Sequence, residues 1–425
     1  MIRLGRRAVL GGFAASATLA AVPVMARQSG SDVELLGALD ASGTYAERLA
    51  RLERFDPEAL VPSRRADLFT VRSALAIDVE LARLIPGGKD GGPYRLPLAG
   101  EPGVWRHANG ARAYRLLLER QIGLAIDPEA AHRRFEREIA RLSRRADALM
   151  RGLGFATGSI AERYTALFAD PRWHYPDSDT GRDRAVADMN RWLDRARPRV
   201  AELMGPVPTE SLEVRARRMS REDEAAGKGG YRELPVDGRP GGYFVDLKDI
   251  ARRPGWSLAS VVHHELLPGH MVQGPMEAAA DPHPQRLAYL PAFSEGWAIH
   301  AEQAMATDGV YRGDPLAELG HIHWLLFRLA RGLADTGIHH RRWSIAQARA
   351  QVEGVQGVPA YFAAFDSDVE RIGREPGLRA AEALAWLELS ALVAAQPSDA
   401  ARRRQYQRIL VDGRKPLRLL REGKA

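Results

Sequence analysis

His264, Glu265 and His270 are the residues whose types and spacing best suit chemistry, in the run Val262-His263-His264-Glu265-Leu266-Leu267-Pro268-Gly269-His270. Two neutral imidazoles can hold a zinc ion, and a glutamate beside the first of them can take a proton from an activated water. The usual helical arrangement places the two histidines four residues apart on one face. Here they are six apart, with Pro268 between them. In an unbroken helix six steps would turn the second side chain roughly 120° away from the first and about 9 Å along the axis. The pairing therefore requires an interruption. Pro268 lacks the N–H that would bond the carbonyl of His264, and Gly269 accepts dihedrals closed to other residues, so together they can return His270 to His264. His263 could take the place of His264. The plain alternative is a His-Glu pair on a solvated helix face, one of many chances in a chain with 12 His. The apolar run Leu258-Ala259-Ser260-Val261-Val262 argues instead for a buried helix leading into the pair.

A third ligand must come from elsewhere in the chain. Glu295 lies 25 residues beyond His270, far enough for a returning helix, and Glu295-Gly296-Trp297-Ala298 reads as the start of one. Glu302, two turns farther along the same face, can orient a ligand or serve as a surface ion-pair partner. The expected set is His264, His270 and Glu295 on Zn2+, with Glu265 as general base.

The ordered combination of His264-Glu265-x-x-Pro268-Gly269-His270, Glu295-Gly296-Trp297-Ala298 and Asp335-Thr336-Gly337-Ile338-His339 resembles the bacterial domain-of-unknown-function 885 family. The likeness extends to Arg239-Pro240-Gly241-Gly242-Tyr243, to Arg328 and Arg331, and over most of the chain after residue 30. It implies a zinc peptidase, and it implies that His264, directly before the glutamate, is the ligand rather than His263. His339, within its family motif, and Tyr243 become candidates to hydrogen-bond an oxyanion, against packing roles for both. Arg328, Arg331 and Arg371 become candidates for a substrate carboxylate, against structural ion pairs. The chain departs from the family pattern at Ile372, Leu378 and Glu382.

The elements that must position these residues are mostly helical. In residues 31–85, Asp56-Pro57 has the form of a helix start, and Leu68, Val71, Leu75, Val79 and Ala82 repeat at three or four. Pro and Gly make 86–104 a loop. Asp127-Pro128 opens a helix with Phe135, Ile139, Leu142, Ala146 and Leu149 on one stripe. Residues 159–168, 182–203, 316–336, 344–354 and 380–395 continue the scaffold. Between Glu210 and Ile250 the pattern turns strand-like, at Leu212–Arg215 and Gly242–Leu247. The expected fold is mainly α, zinc-peptidase-like, with a small β-sheet beside the metal site. A helical region over 27–205 and a catalytic region over 206–425 should pack as one large domain.

Residues 1–26 begin with the paired Arg6-Arg7, continue through an Ala/Gly-rich apolar run and end in Val24-Met25-Ala26. This is the layout of a cleaved twin-arginine export signal, and the run is short of the roughly 20 residues that span a bilayer. The expected location is periplasmic or secreted, with no stable membrane anchor after cleavage. The formal charge of +7 falls to +4 without Arg3, Arg6 and Arg7, and the remaining arginines are scattered, so no nucleic-acid partner is expected. With no Cys there is no disulfide, thiolate nucleophile, cysteine zinc site or lipoprotein anchor. The expected activity is cleavage of a peptide or other amide by metal-activated water. The alternative is a catalytically silent peptide- or metal-binding protein of the envelope.

Overall fold

Proline and capping residues start several of the helices. The computed structural model describes residues 29–86, 92–96, 102–235 and 239–423; the export signal read over 1–26 lies outside them. Asp56-Pro57 begins only a 3-10 turn over Pro57–Ala59, with the Asp56 side chain accepting from the N–H of Glu58. The long helix starts later, as α1 over Pro62–Leu84. The second proline explains the delay, because it keeps Val61 extended at ψ 155°. Leu68, Val71 and Leu75 of the expected stripe are fully buried, and Val79 and Ala82 pack at its margin.

Helix α2 spans Gly110–Ile122 and α3 spans Pro128–Gly152, the latter capped by Asp127 onto the N–H of Ala130. Of the α3 stripe, Phe135, Leu142 and Ala146 are buried, joined by Met150. Helix α4 covers Asp179–Met204. One large hydrophobic cluster runs from Leu35 to Leu420, so the N-terminal and C-terminal helices share a core.

The second half carries α5 (Leu258–Glu265), α6 (His270–Ala279), α7 (Pro291–Thr307), α8 (Pro315–His339), α9 (Phe365–Arg374) and α10 (Leu378–Ala394). Helix α5 is enclosed by α4, α7 and α8. Helices α7 and α10 approach closely at Gly296, where an added Cβ would stand 2.3 Å from Cβ of Ala385.

The sheet has three strands, β1 (Arg215–Arg218), β2 (Tyr231–Glu233) and β3 (Gly242–Val245), in the order β1-β3-β2. β1 pairs parallel to β3, and β2 antiparallel to it. The first strand begins three residues beyond the expected Leu212, because Leu212 ends a short helical turn over Thr209–Leu212. β2 has no alternating apolar pattern and was not foreseen. It is an edge strand with two exposed residues out of three. In register, Arg232 is directly opposite Tyr243. Opposed residues project from the same face of a sheet. The fold is thus mainly helical with a small sheet.

Candidate metal centre and its cavity

The backbone breaks where Pro268 and Gly269 suggest. α5 ends at Glu265 and α6 starts at His270. Gly269 is required by close approach: a Cβ there would lie 1.9 Å from the carbonyl oxygen of His264 and 2.5 Å from that of His263. Trp297 pins the elbow, its indole N–H donating to the carbonyls of Pro268 (3.2 Å) and Gly269 (3.1 Å). Glu295-Gly296-Trp297 therefore has three parts: a carboxylate facing the histidines, a glycine for the α7–α10 approach, and an indole holding the elbow.

As a result, ligand atoms of His264, His270 and Glu295 lie within 4.8 Å of one another. The Nε2 atoms of both histidines are 3.4 Å from the Glu295 carboxylate, one from each oxygen. The opposite ring nitrogens are engaged. His264 Nδ1 is 2.7 Å from Glu302 Oε1, and His270 Nδ1 is 3.3 Å from the Ser294 hydroxyl, which donates to Gln273. A proton on each Nδ1 leaves each Nε2 as a ligand lone pair. Apart from that 3.4 Å approach to Glu295, His270 Nε2 is buried without a hydrogen-bond partner among the described residues. Two imidazoles, a carboxylate and an orphaned buried nitrogen fit a zinc site.

The charges of the cluster follow from burial and from its neighbours. Burial and Arg328 push the His264 imidazole down, but Glu295 and Glu302 outweigh them and hold it at about 9. Burial keeps His270 below its usual value despite Glu295. Burial acts to raise the Glu295 carboxyl, yet the two imidazoles hold it well below the carboxylate range. The two imidazoles thus keep the Glu295 carboxylate charged, as a metal ligand must be.

His263 is turned the other way. It is fully buried, its Nδ1 lies 3.0 Å from the carbonyl of Leu267, and its ring faces Trp192 and Tyr311. Glu265 lines a cavity of about 200 Å³ beside the ligands. It pairs with Arg232 of β2, a residue the sequence reading missed. Nothing in the short segment Tyr231-Arg232-Glu233 signals this; only the strand register does. Tyr243, across from Arg232, is buried in hydrogen-bonding contact with Tyr361 and within the field of Glu265. Burial and these neighbours raise its phenol well above the usual value, so it remains a proton donor.

The arginines divide. Arg328, Arg331, Arg371 and Arg379 all line the cavity, together with Trp324, Tyr361 and Phe362. Arg328 comes within 3.4 Å of His264 Nε2 and 3.8 Å of Glu295. Arg331 is buried and bonds Asp368 at 3.0 Å, with Glu382 at 3.9 Å. Arg379, not foreseen, bonds Glu382 at 2.5 Å and Glu375 at 2.8 Å. Glu382, one of the departures from the family pattern, thus lies between two arginines.

His339 is not brought to the site, which corrects its expected oxyanion role. It is fully buried, with Nδ1 accepting from the N–H of Val104 (3.3 Å) and Nε2 placed to donate to the carbonyl of Ile372 (3.1 Å). Its neighbours in Asp335-Thr336-Gly337-Ile338-His339 are equally committed. Asp335 accepts from the N–H groups of Gly377 and Ala380 and from the Tyr114 hydroxyl, capping α10. Thr336 Oγ1 is 2.7 Å from His132, and a Cβ on Gly337 would meet the Trp343 ring at 2.0 Å. This segment clamps helices; it does not reach the cavity.

Residues 94–423 match the family described as bacterial protein of unknown function, DUF885. No curated protein matches the chain. The fold is shared with a crystal structure described as "the putative lipoprotein from Colwellia psychrerythraea", 24% identical, with a TM-score of 0.69 over 92% of this chain and 68% of that one. A structure described as "a putative lipoprotein of unknown function from Shewanella oneidensis" is 14% identical, with a TM-score of 0.60 over 92% of this chain and 72% of that one. At these identities the likeness shows the fold alone. Among the described residues no helix is long and apolar enough to cross a membrane.

Proposed function

The chain belongs to the DUF885 family, and within it we propose an exported zinc-dependent hydrolase that cleaves amide bonds, in the simplest case peptide bonds. The observation that carries this reading is the convergence of His264, His270 and Glu295, with His270 Nε2 buried and approached only by Glu295 among the described residues. Zinc held by these three residues would supply Lewis acidity and an acidified water. The remaining work falls to side chains of the chain itself. Glu265 takes the proton from the attacking water and passes it to the leaving nitrogen, and Arg232 holds its carboxylate in place. Glu302 and Ser294 fix the two imidazole tautomers. Arg328, beside His264, supplies a donor for negative charge that develops on the carbonyl oxygen. Support for export is the layout of residues 1–26.

One observation favours a second reading, a catalytically silent binder: the Glu265 carboxylate is already paired with Arg232. The two readings part on a single comparison. A mixed peptide library is incubated with the zinc-loaded protein and with its Glu265→Gln variant. Hydrolysis that falls at least about a hundredfold in the variant supports the enzyme. A wild type inert to every peptide supports the binder.

A further inference from the structure

Four guanidinium groups lining a cavity of about 200 Å³ are more than internal pairing requires. Arg331 is satisfied by Asp368 and approached by Glu382, and Arg379 is satisfied by Glu382 and Glu375. Arg371, on α9, is exposed at the cavity and makes no ion pair among the described residues. Among the described residues Arg328 has one ion-pair partner, Glu295 at 3.8 Å, and that carboxylate is shared with His264 and His270. The Nε atoms of Arg328, Arg331 and Arg379 are buried without partners, and the Arg331 side chain is only 3% exposed. Buried donors left over after internal pairing mark a place for an acceptor that comes from outside.

The position of that acceptor follows from Arg328, which touches the ligand set at His264 Nε2 and also lines the cavity. An anion held by these arginines beside Arg328 lies close to the bond presented to His264, His270, Glu295 and Glu265. Guanidinium forks suit carboxylates, and Trp324, Tyr361 and Phe362 in the same lining suit an apolar side chain next to the anion. We propose that the arginines lining the cavity form a carboxylate subsite, with Arg371 as the recognition residue, so that the substrate is an amide whose leaving amine carries a carboxylate. Two sources share this chemistry: the C-terminal carboxylate of a peptide, which makes the reaction an exo-cleavage, and the side chain of Asp or Glu. In either case the C–N bond breaks, water delivers its hydroxyl to the acyl carbon, and its proton goes to the departing nitrogen. The inference rests on the hydrolase reading for its orientation, but it is tested by binding.

The probe is a set of N-acetylated tripeptides titrated calorimetrically into zinc-loaded Glu265→Gln protein. The three arms are acetyl-Ala-Ala-Phe as free acid, the same peptide as its C-terminal amide, and acetyl-Ala-Ala-Glu as its C-terminal amide. The free acid should bind about ten- to a hundredfold tighter than the Phe amide, the range of a charge-assisted hydrogen bond. If the Glu amide recovers that affinity, the side chain is the source. Adding Arg371→Met should bring the acid and amide within about twofold with an unchanged melting temperature, because Arg371 makes no ion pair among the described residues, and Arg371→Lys should restore part of the preference. Equal affinity for all three peptides, or no binding by any, overturns the subsite. A carboxylate preference in a wild type that cleaves none of them leaves the subsite standing and removes the hydrolase.

Discussion

Glu302 Oε1 lies 2.7 Å from Nδ1 of His264, and its other oxygen takes the hydroxyl of Ser260. A buried carboxylate behind a ligand histidine orients the ring and raises its basicity. Glu302→Gln retains an acceptor but loses the charge. Zinc affinity should fall about ten- to a hundredfold, read by competition with a chelator of known affinity. Wild-type affinity in the variant would mean that Glu302 only fills space.

Arg232 reaches Glu265 from a different part of the chain, across the register that sets it opposite Tyr243. Removing it leaves the three ligands untouched and frees the carboxylate to move. Arg232→Ala should therefore keep full zinc content while kcat falls on the order of ten- to a hundredfold, as for a displaced catalytic group. Zinc loss parallel to the loss of activity would assign Arg232 to the fold of the site instead.

Gly269→Ala tests the elbow. The added methyl would stand 1.9 Å from the carbonyl oxygen of His264, so the turn must open. Denaturant unfolding should show a loss of about 1–3 kcal/mol, the cost of overpacking, together with weaker zinc binding as His270 moves away. Stability lost with zinc affinity unchanged would separate the elbow from the ligand pairing.

Three histidines away from the ligands predict how stability responds to acid. Burial holds His132, His300 and His323 at about 4, below the ordinary value of 6.5. The folded state thus binds fewer protons than the unfolded state between these values. Stability from these sites is fully present above pH 6.5 and is lost as pH falls towards 4, by about 1.4 kcal/mol per pH unit for each site. Urea midpoints should decline through that window, and a flat profile would show that these rings are protonated at little cost.

Much of the site could be read in the chain because its parts are local. Pro268 and Gly269 announce the break between α5 and α6, and the spacing from His270 to Glu295 allows a returning helix. The α3 stripe and its Asp127-Pro128 start are likewise visible in a single segment. What could not be read depends on tertiary approach. Arg232 belongs to a three-residue edge strand whose meaning comes from its pairing with β3. Arg379 meets the cavity only because α10 packs against α7 and α8. His339 was misread because the motif around it suggests chemistry, whereas both its nitrogens serve the backbone of distant residues. Asp56-Pro57 has the form of a helix start, and Pro62 moved that start downstream.

The central claim is that His264, His270 and Glu295 form one zinc site, and metal analysis of purified protein tests it most directly. Wild type and Glu265→Gln should each carry about one zinc per chain, and His263→Ala should keep it, since that ring faces Trp192 and Tyr311. His264→Ala, His270→Ala and Glu295→Ala should each lose most of the metal while remaining folded by circular dichroism. Full zinc occupancy in folded His270→Ala protein would contradict the account.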